Sequence, residues 1–432
     1  MQRRRLITSG ALLVFFATSV LAANEKTHRA VAAYRDGAAG MQSGDYDAYL
    51  DGMERALADL PGHPILMIHV ARANALKGNT EEAFVWLERV IDAGADFGFD
   101  RDERLASLRD DDRFRMLLRR AESYGPRGAC DEVYRLAVGD MLPEGIAHDS
   151  MLGSFYIGSV RHKKIIQIDK KGKISDLVVS GQDGLRGVLG LRVDAKRRHL
   201  WAVSTAMAGM EGWNESVDGG ATAHCFDIDT GKTLRSFVFS PEVDGEHNFN
   251  DIVVAEDGRV YITDAITGAI FSAAPGDTEL DEWVAAGVVF APNGLVLSND
   301  GRRLYVSQYT LGLVGIDTQT RAVEPLTYPD GAVVAGIDGL YLHGNSLIAV
   351  QNIPGLERVS QFWLGDAGAS IVRARILERR DERFHDPTTG AVVGDHLYFI
   401  ANSQLPRVGR GGEVPQPELF DDTFILKVEL ER

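Results

Sequence analysis

Four short phrases carry the side-chain oxygens best placed to do chemistry: Pro143-Glu144-Gly145-Ile146, Asn250-Asp251-Ile252-Val253, Pro292-Asn293-Gly294-Leu295 and Ile337-Asp338-Gly339-Leu340. Each sets a carboxylate or carboxamide at the start of an apolar strand, and three of them follow it with glycine. Such oxygens are hard ligands, suited to calcium, magnesium or manganese rather than to zinc. Glu144 and Asp338 supply the two negative charges that match a divalent cation, and Asn250 and Asn293 add oxygens without further charge. Taken singly, Asn293 and Asp338 before glycine also fit turn caps, and Glu144 fits a solvated rim residue. Recurrence at one phase of the chain favours a shared site.

Residues so far apart can meet only if a repeating architecture returns each strand start to one axis. From Val133 onward the pattern is short β-branched and aromatic runs separated by turns such as Asp229-Thr230-Gly231, Asp257-Gly258 and Asp300-Gly301. Strand starts at Glu144, Leu189, Asn250, Asn293, Asp338 and Thr389 are spaced by 45, 61, 43, 45 and 51 residues. These are blade-sized steps, so a six-bladed β-propeller is expected over 133–432. A β-sandwich would not explain a polar residue recurring at one phase. The ring at the channel mouth then reads Glu, Leu, Asn, Asn, Asp, Thr. Val133–Val138 is expected to pair with the strand holding Phe424–Val428 and close the ring. His247, Asn248, Asp251 and Thr389 are placed to line the cavity, whereas His148, His343, Asn352, His385 and Asn402 read as surface or packing groups. Insertions at Met207–Ala223 and Ser403–Pro417 are long enough to serve as lid or plug.

Residues 25–125 follow a helical period. Gly44 and Gly78 stand 34 residues apart, each before an amphipathic stretch, Asp45–Leu60 and Asn79–Ala93. That is the tetratricopeptide period, with Gly37, Ala56, Ala71 and Ala83 small enough for close helix contact and a degenerate third unit through Leu105–Leu118. Two or three such units need a neighbour for stability. The turn-rich Tyr124–Gly128 divides this region from the strands.

Arg3, Arg4 and Arg5, the apolar Leu12–Phe16 and Val20-Leu21-Ala22 form an export signal over 1–22. The apolar run is short for a membrane span, and no later stretch is long enough, so a periplasmic or secreted chain is expected. Loss of the signal leaves 43 basic against 62 acidic residues, a balance of −19. Such a surface argues against nucleic acid or anionic lipid as partner. Two cysteines, Cys130 and Cys225, make no disulfide framework, and spacing does not decide whether they pair.

The four phrases resemble the metal-ligand phrases of the senescence-marker-protein/gluconolactonase family, most specifically Pro292-Asn293-Gly294-Leu295-Val296-Leu297-Ser298-Asn299-Asp300-Gly301 with Leu304-Tyr305-Val306. The resemblance spans about 142–430. It implies a six-bladed propeller, one catalytic divalent metal, usually calcium (the residues alone leave Mg2+ and Mn2+ open), and hydrolysis of a small-molecule lactone or ester. It also implies that Glu144, Asn250, Asn293 and Asp338 hold the metal, and that Asp338 takes a proton from the attacking water. Paraoxonases in the wider group carry a catalytic histidine where this chain has Leu189, and an aspartate where it has Gly145. Gluconolactonases commonly carry a sugar-binding arginine where it has Asn248, which weakens the case for a sugar-acid lactone. The chain contains no Gly-x-Ser-x-Gly, His-Glu-x-x-His or Cys-x-x-Cys-His sequence. The alternative is a non-catalytic binding or scaffold protein, with a structural metal and a helical module that engages a protein partner.

Overall fold

In the computed structural model, residues 28–432 are described apart from 96, 138, 215–219, 241–243, 330 and 410. The export signal expected over 1–22 lies outside these residues. Six four-stranded antiparallel sheets make up the chain from Cys130 onward. Their inner strands are Pro143–Asp149, Gly187–Asp194, Phe249–Val254, Pro292–Leu297, Ile337–His343 and Gly390–Val393, defining blades 1 to 6. Neighbouring inner strands pack together in turn, and the sixth packs against the first. This is a closed six-bladed β-propeller. The outermost strand of blade 6 is Cys130–Leu136, paired antiparallel with Thr423–Glu429. The N-terminal end of the barrel thus completes the sheet made by its C-terminal end and removes an open edge, as expected.

In each of the first five blades the register of the inner strand slips at the same place, between Pro143 and Ile146, Val188 and Leu191, Phe249 and Ile252, Pro292 and Leu295, and Ile337 and Leu340. The irregularity leaves two residues out of the ladder and re-aims them, which is what β-bulges do beside functional sites. The first of each pair is the ring residue. The second is glycine for a steric reason. A methyl group at Gly145 would overlap the carbonyl oxygen of Leu189, one at Gly190 the backbone of Asp251, and one at Gly294 the carbonyl oxygen of Asp338. The recurring glycine therefore lets each inner strand press against the next. In blade 3 Asp251 occupies that place and makes hydrogen bonds instead.

Among the described residues, five α-helices precede the propeller: α1 (28–43), α2 (Tyr46–Asp59), α3 (Pro64–Lys77), α4 (Thr80–Asp92) and α5 (Asp112–Ser123). Asp45 caps α2 through its side chain, and Gly78 ends α3 in the left-handed region. Gly37 and Gly52 meet where α1 crosses α2. The first four helices form two antiparallel pairs. Where a third pair was expected, short 3₁₀ turns at Phe99–Arg101 and Glu103–Leu108 lead into α5.

The helices do not stand apart from the barrel. Val333 and Leu356 of the propeller belong to the helical core, His63 bonds the carbonyl of Thr310, and Arg380 donates to the carbonyl of Ala121 at 2.7 Å. These propeller loops all lie on the face where the inner strands begin. The helical region is a roof over blades 4 and 5. Among the described residues, no helix is long and apolar enough to cross a membrane.

Overpacking at the blade contact gives a test. Gly294→Ala should destabilise the protein by about 1–3 kcal/mol, because rigid backbone must move. Gly125→Ala, where the added carbon meets only the Glu122 carbonyl oxygen at 3.6 Å, should be close to neutral. Urea midpoints of both variants check this.

Candidate functional site

The bulges take the ring residues out of the ladder, and Glu144 and Asp338 lie within range of each other's charge. Glu144 and Asp338 are buried, at 6% and 5% exposure, and the charge of Asp338 acts on Glu144. Burial pushes the Glu144 carboxyl well above its usual range, with Asp338 and then Asp386 adding to the rise. Burial likewise lifts Asp338 to about 7, with Asp386 the largest charge pushing the same way. The Asn293 and Asn352 carboxamides pull Asp338 back down. Asn352 donates from Nδ2 to Asp338 Oδ2 at 2.7 Å, and the Tyr309 hydroxyl donates to Asn352 Oδ1 at 2.7 Å. Asp338 is thus held from behind by a two-step chain that ends next to Thr310, the residue bonded by His63 of the roof.

Two oxygens stand out. Glu144 Oε2 and Asn293 Oδ1 are buried with no hydrogen-bond partner among the described residues. An unmet buried acceptor costs roughly 1–3 kcal/mol, so these atoms fit a ligand that supplies positive charge. A divalent cation satisfies that requirement, and the two carboxylates with carboxamide oxygens form a donor set of the calcium or magnesium type. Asn250 occupies the same bulge position in blade 3 and is half-buried.

The other residues singled out from the sequence have different partners. The His247 ring is packed among Phe239, Phe249 and Phe271. Its Nδ1 lies 2.5 Å from Asp264 Oδ2 and its Nε2 lies 3.1 Å from the carbonyl of Asp244. Asn248 is half-buried, its backbone N–H donates to Asp264, and its Oδ1 is a third unmet acceptor. Asp251 accepts from Ile252 and Leu295 and pairs with Arg192 at 3.4 Å, tying blades 2, 3 and 4 together. Thr389 bonds the carbonyl of Glu144 at 2.5 Å and accepts from Ile146 N, so it links blade 6 to blade 1. Leu189 is buried in the blade 2–3 core.

Three site groups escaped the sequence reading. Asp386 lies in the loop before blade 6, at a left-handed φ of 66°. Burial raises its carboxyl to about 6 while the Ser403 hydroxyl, donating at 2.6 Å, lowers it. Asn352, read from the sequence as a surface or packing group, is buried and supports Asp338. Tyr309 feels Asp338, Asp386 and Glu144, which with burial drive its phenol upward. Beneath the ring, Arg192 reaches over the Tyr341 face at 5.5 Å, and Tyr341 accepts from Gly390 N. Arg192 and Tyr341 thus sit further along their inner strands than the ring positions Leu189 and Asp338.

Above, the insertions meet each other. Gly209 packs against Val408 and Leu142, and Gly412 packs against Trp213. Glu211 is tied to blade 1 through His162 at 2.9 Å. The helical roof stands on the same face, and Asn250, Asn293, Tyr309 and Asp386 keep partial exposure. Cys130 and Cys225 are free thiols. Cys130 also clusters with Glu378 and Asp381, but those carboxylates are taken by the N–H groups of Arg127 and Ala129 and by the Arg383 guanidinium.

No protein-family model matches this chain, and no curated protein matches it. Solved structures do. A gluconolactonase from Xanthomonas campestris, XC5397, is 15% identical over 67% of this chain and 86% of its own, with a TM-score of 0.45. A luciferin-regenerating enzyme is 13% identical over 71% and 95%, with a TM-score of 0.47. A quinone-bound aldose sugar dehydrogenase from Streptomyces coelicolor is 16% identical over 69% and 97%, with a TM-score of 0.46. Likeness at this level carries no argument about chemistry, and the fold rests on the strand order described above.

The raised carboxyls have a signed consequence. With folded values above unfolded ones, Asp338 and Asp386 keep protons that the unfolded chain releases, so stability falls as pH rises from about 4 to about 7. Chelator-treated protein should therefore lose thermal stability across that window, and added calcium should restore it. Thermal midpoints against pH, with and without calcium, measure the effect.

Proposed function

We propose that this chain is an exported, calcium-dependent hydrolase that acts on a lactone or ester at the channel mouth. The observation that carries the reading is the pair of unmet buried acceptors, Glu144 Oε2 and Asn293 Oδ1, beside the raised carboxyl of Asp338. Glu144, Asn250, Asn293 and Asp338 would hold the ion. Once bound, a divalent cation supplies Lewis-acid polarisation of a carbonyl and lowers the cost of the developing oxyanion. The protein's own part is positional. Asn352 fixes Asp338 Oδ2 and so orients the carboxylate that would take a proton from an attacking water. Asn250 and Asn293 orient the carbonyl oxygen. Asp386, partly buried and acting on Asp338 through its charge, would receive the proton next. The roof and the two insertions would restrict the access of bulk water.

The lack of a serine-elbow motif supports attack by water rather than by a side chain. The export signal read over residues 1–22 supports a periplasmic or secreted location. The helix pairs, read as tetratricopeptide-like from their 34-residue period, serve in this reading as part of the site wall. One observation favours a second reading. Glu144 and Asp338 are almost fully covered, as ligands of an ion that only staples the barrel would be. In that reading the chain is a binding or scaffold protein whose helices engage a protein partner.

Kinetics separate the two. Asp338→Asn should keep the fold and calcium-free circular dichroism spectrum, yet lower kcat/KM on a hydrolysed lactone or ester about 100-fold or more. Undiminished turnover in that variant would remove Asp338 from the chemistry. Absence of turnover on any lactone or ester, with calcium still raising the melting temperature, would favour the stapling ion.

A further inference from the structure

His63 caps the N-terminus of α3 and is buried, at 5% exposure. Its two ring nitrogens serve different parts of the molecule. Nδ1 accepts from the backbone N–H of Leu66 at 3.4 Å, so Nε2 carries the proton and donates it to the carbonyl of Thr310 in blade 4. Burial brings the imidazole down to about 4, which keeps it neutral and holds that tautomer. Capping a helix needs only the first bond. The second ties the helical roof to a turn of the propeller.

That turn brings Tyr309 to the ring. The Tyr309 N–H donates to the carbonyl of Ala291 at 3.2 Å, and its own carbonyl accepts from Gly336 N at 2.5 Å. Ala291 stands two residues before Asn293, and Gly336 two residues before Asp338. The turn is thus stitched between the starts of two inner strands that carry ring residues. Asn352 N donates to the carbonyl of Gly336 at 3.0 Å, and the Asn352 side chain joins the Tyr309 hydroxyl to Asp338 Oδ2. The roof grips the residue that follows each of these two. Thr310 is bonded by His63, and Ile353 packs against the helical core. On the other side of Asn352, Gln351 donates from Nε2 to the carbonyls of Val333 and Ala335 at 3.1 and 2.7 Å, and Val333 belongs to the same helical core.

We propose that His63 is a positioning residue for the ring: by holding the Thr310 carbonyl it fixes Tyr309, and through Asn352 it fixes the carboxylate of Asp338. The helical region is then part of the ring's geometry as well as of its wall. The consequence for calcium rests on the reading of Asp338 as an ion ligand, but the link from α3 to Asp338 does not. His63→Asn and His63→Ser both keep an oxygen able to cap α3, and both are too short to reach Thr310. Using two replacements guards against one failing to fold. In the calcium-free full chain, hydrogen exchange should quicken about three- to tenfold at the Tyr309, Gly336 and Asn352 amides, with the ladder amides of blade 2 unchanged. A histidine that served only the stability of the fold would instead speed exchange throughout the chain. Calcium titration gives the second readout. Either variant should bind calcium about three- to tenfold more weakly than the wild type. In a Tyr309→Phe background, where the hydroxyl is already gone, replacing His63 should weaken binding no further. Unchanged exchange at Gly336 and Asn352 would overturn the proposal, as would losses of calcium affinity that simply multiply in the double variant. If the wild type binds no calcium, the ion reading falls, and exchange at Gly336 still decides the role of His63.

Discussion

Among the described residues, Glu144, Asp251, Asp338 and Asp386 bring four carboxylates within range of one another's charge, and Arg192 pairs with one of them, Asp251, at 3.4 Å. Burying unpaired charge costs several kcal/mol per ion, so this channel must hold protons, a cation or both. The rest of the site follows from that constraint. Asp251 is settled by Arg192 and two backbone N–H groups, which leaves the imbalance at the ring. There the raised carboxyls of Glu144, Asp338 and Asp386 record the proton solution, and the unmet oxygens of Glu144 and Asn293 mark where a cation would supply the other.

The fold delivers this concentration of charge through a simple device repeated five times. A register slip at the start of each inner strand exposes two residues, one aimed into the channel and one pressed on the next blade. The second must be small, or, as with Asp251, must bond its neighbours instead. The ring and the blade packing are therefore built by the same backbone feature, and a change in the glycine disturbs the ligand of the adjacent blade. The closing strand Cys130–Leu136 fixes blade 6 against blade 1, where Thr388 and Thr389 bond the carbonyl of Glu144.

The sequence made the recurring part of this legible. Glu144, Asn293 and Asp338 stood out because a polar residue and a glycine returned at one blade phase, and the blade closure followed from an orphan strand at each end. Groups outside the repeat were not visible. Asp386 comes from an irregular loop in left-handed backbone, Tyr309 from a turn, and Asn352 from just beyond a second strand, so nothing in spacing joins them to Asp338. His247 looked like a cavity residue because it lies near Asn250 in sequence, yet Asp264 and three phenylalanines hold it. The docking of the helices was invisible for a similar reason. Their 34-residue period describes contacts among themselves, whereas Val333, Leu356, Thr310 and Arg380 reach them from far along the chain. The apolar face of the helices finds its cover in the propeller, and the roof and the site wall become one structure.

The claim beneath all of this is that one hard divalent ion belongs at the meeting point of blades 1, 3, 4 and 5. Calorimetric titration of calcium into chelator-stripped protein addresses it directly, with Glu144→Gln and Asn293→Leu alongside the wild type. The account predicts one equivalent bound by the wild type and weakened or absent binding in both variants, each of which still folds. Calcium binding of the same strength in all three proteins, or no binding by the wild type, would contradict it.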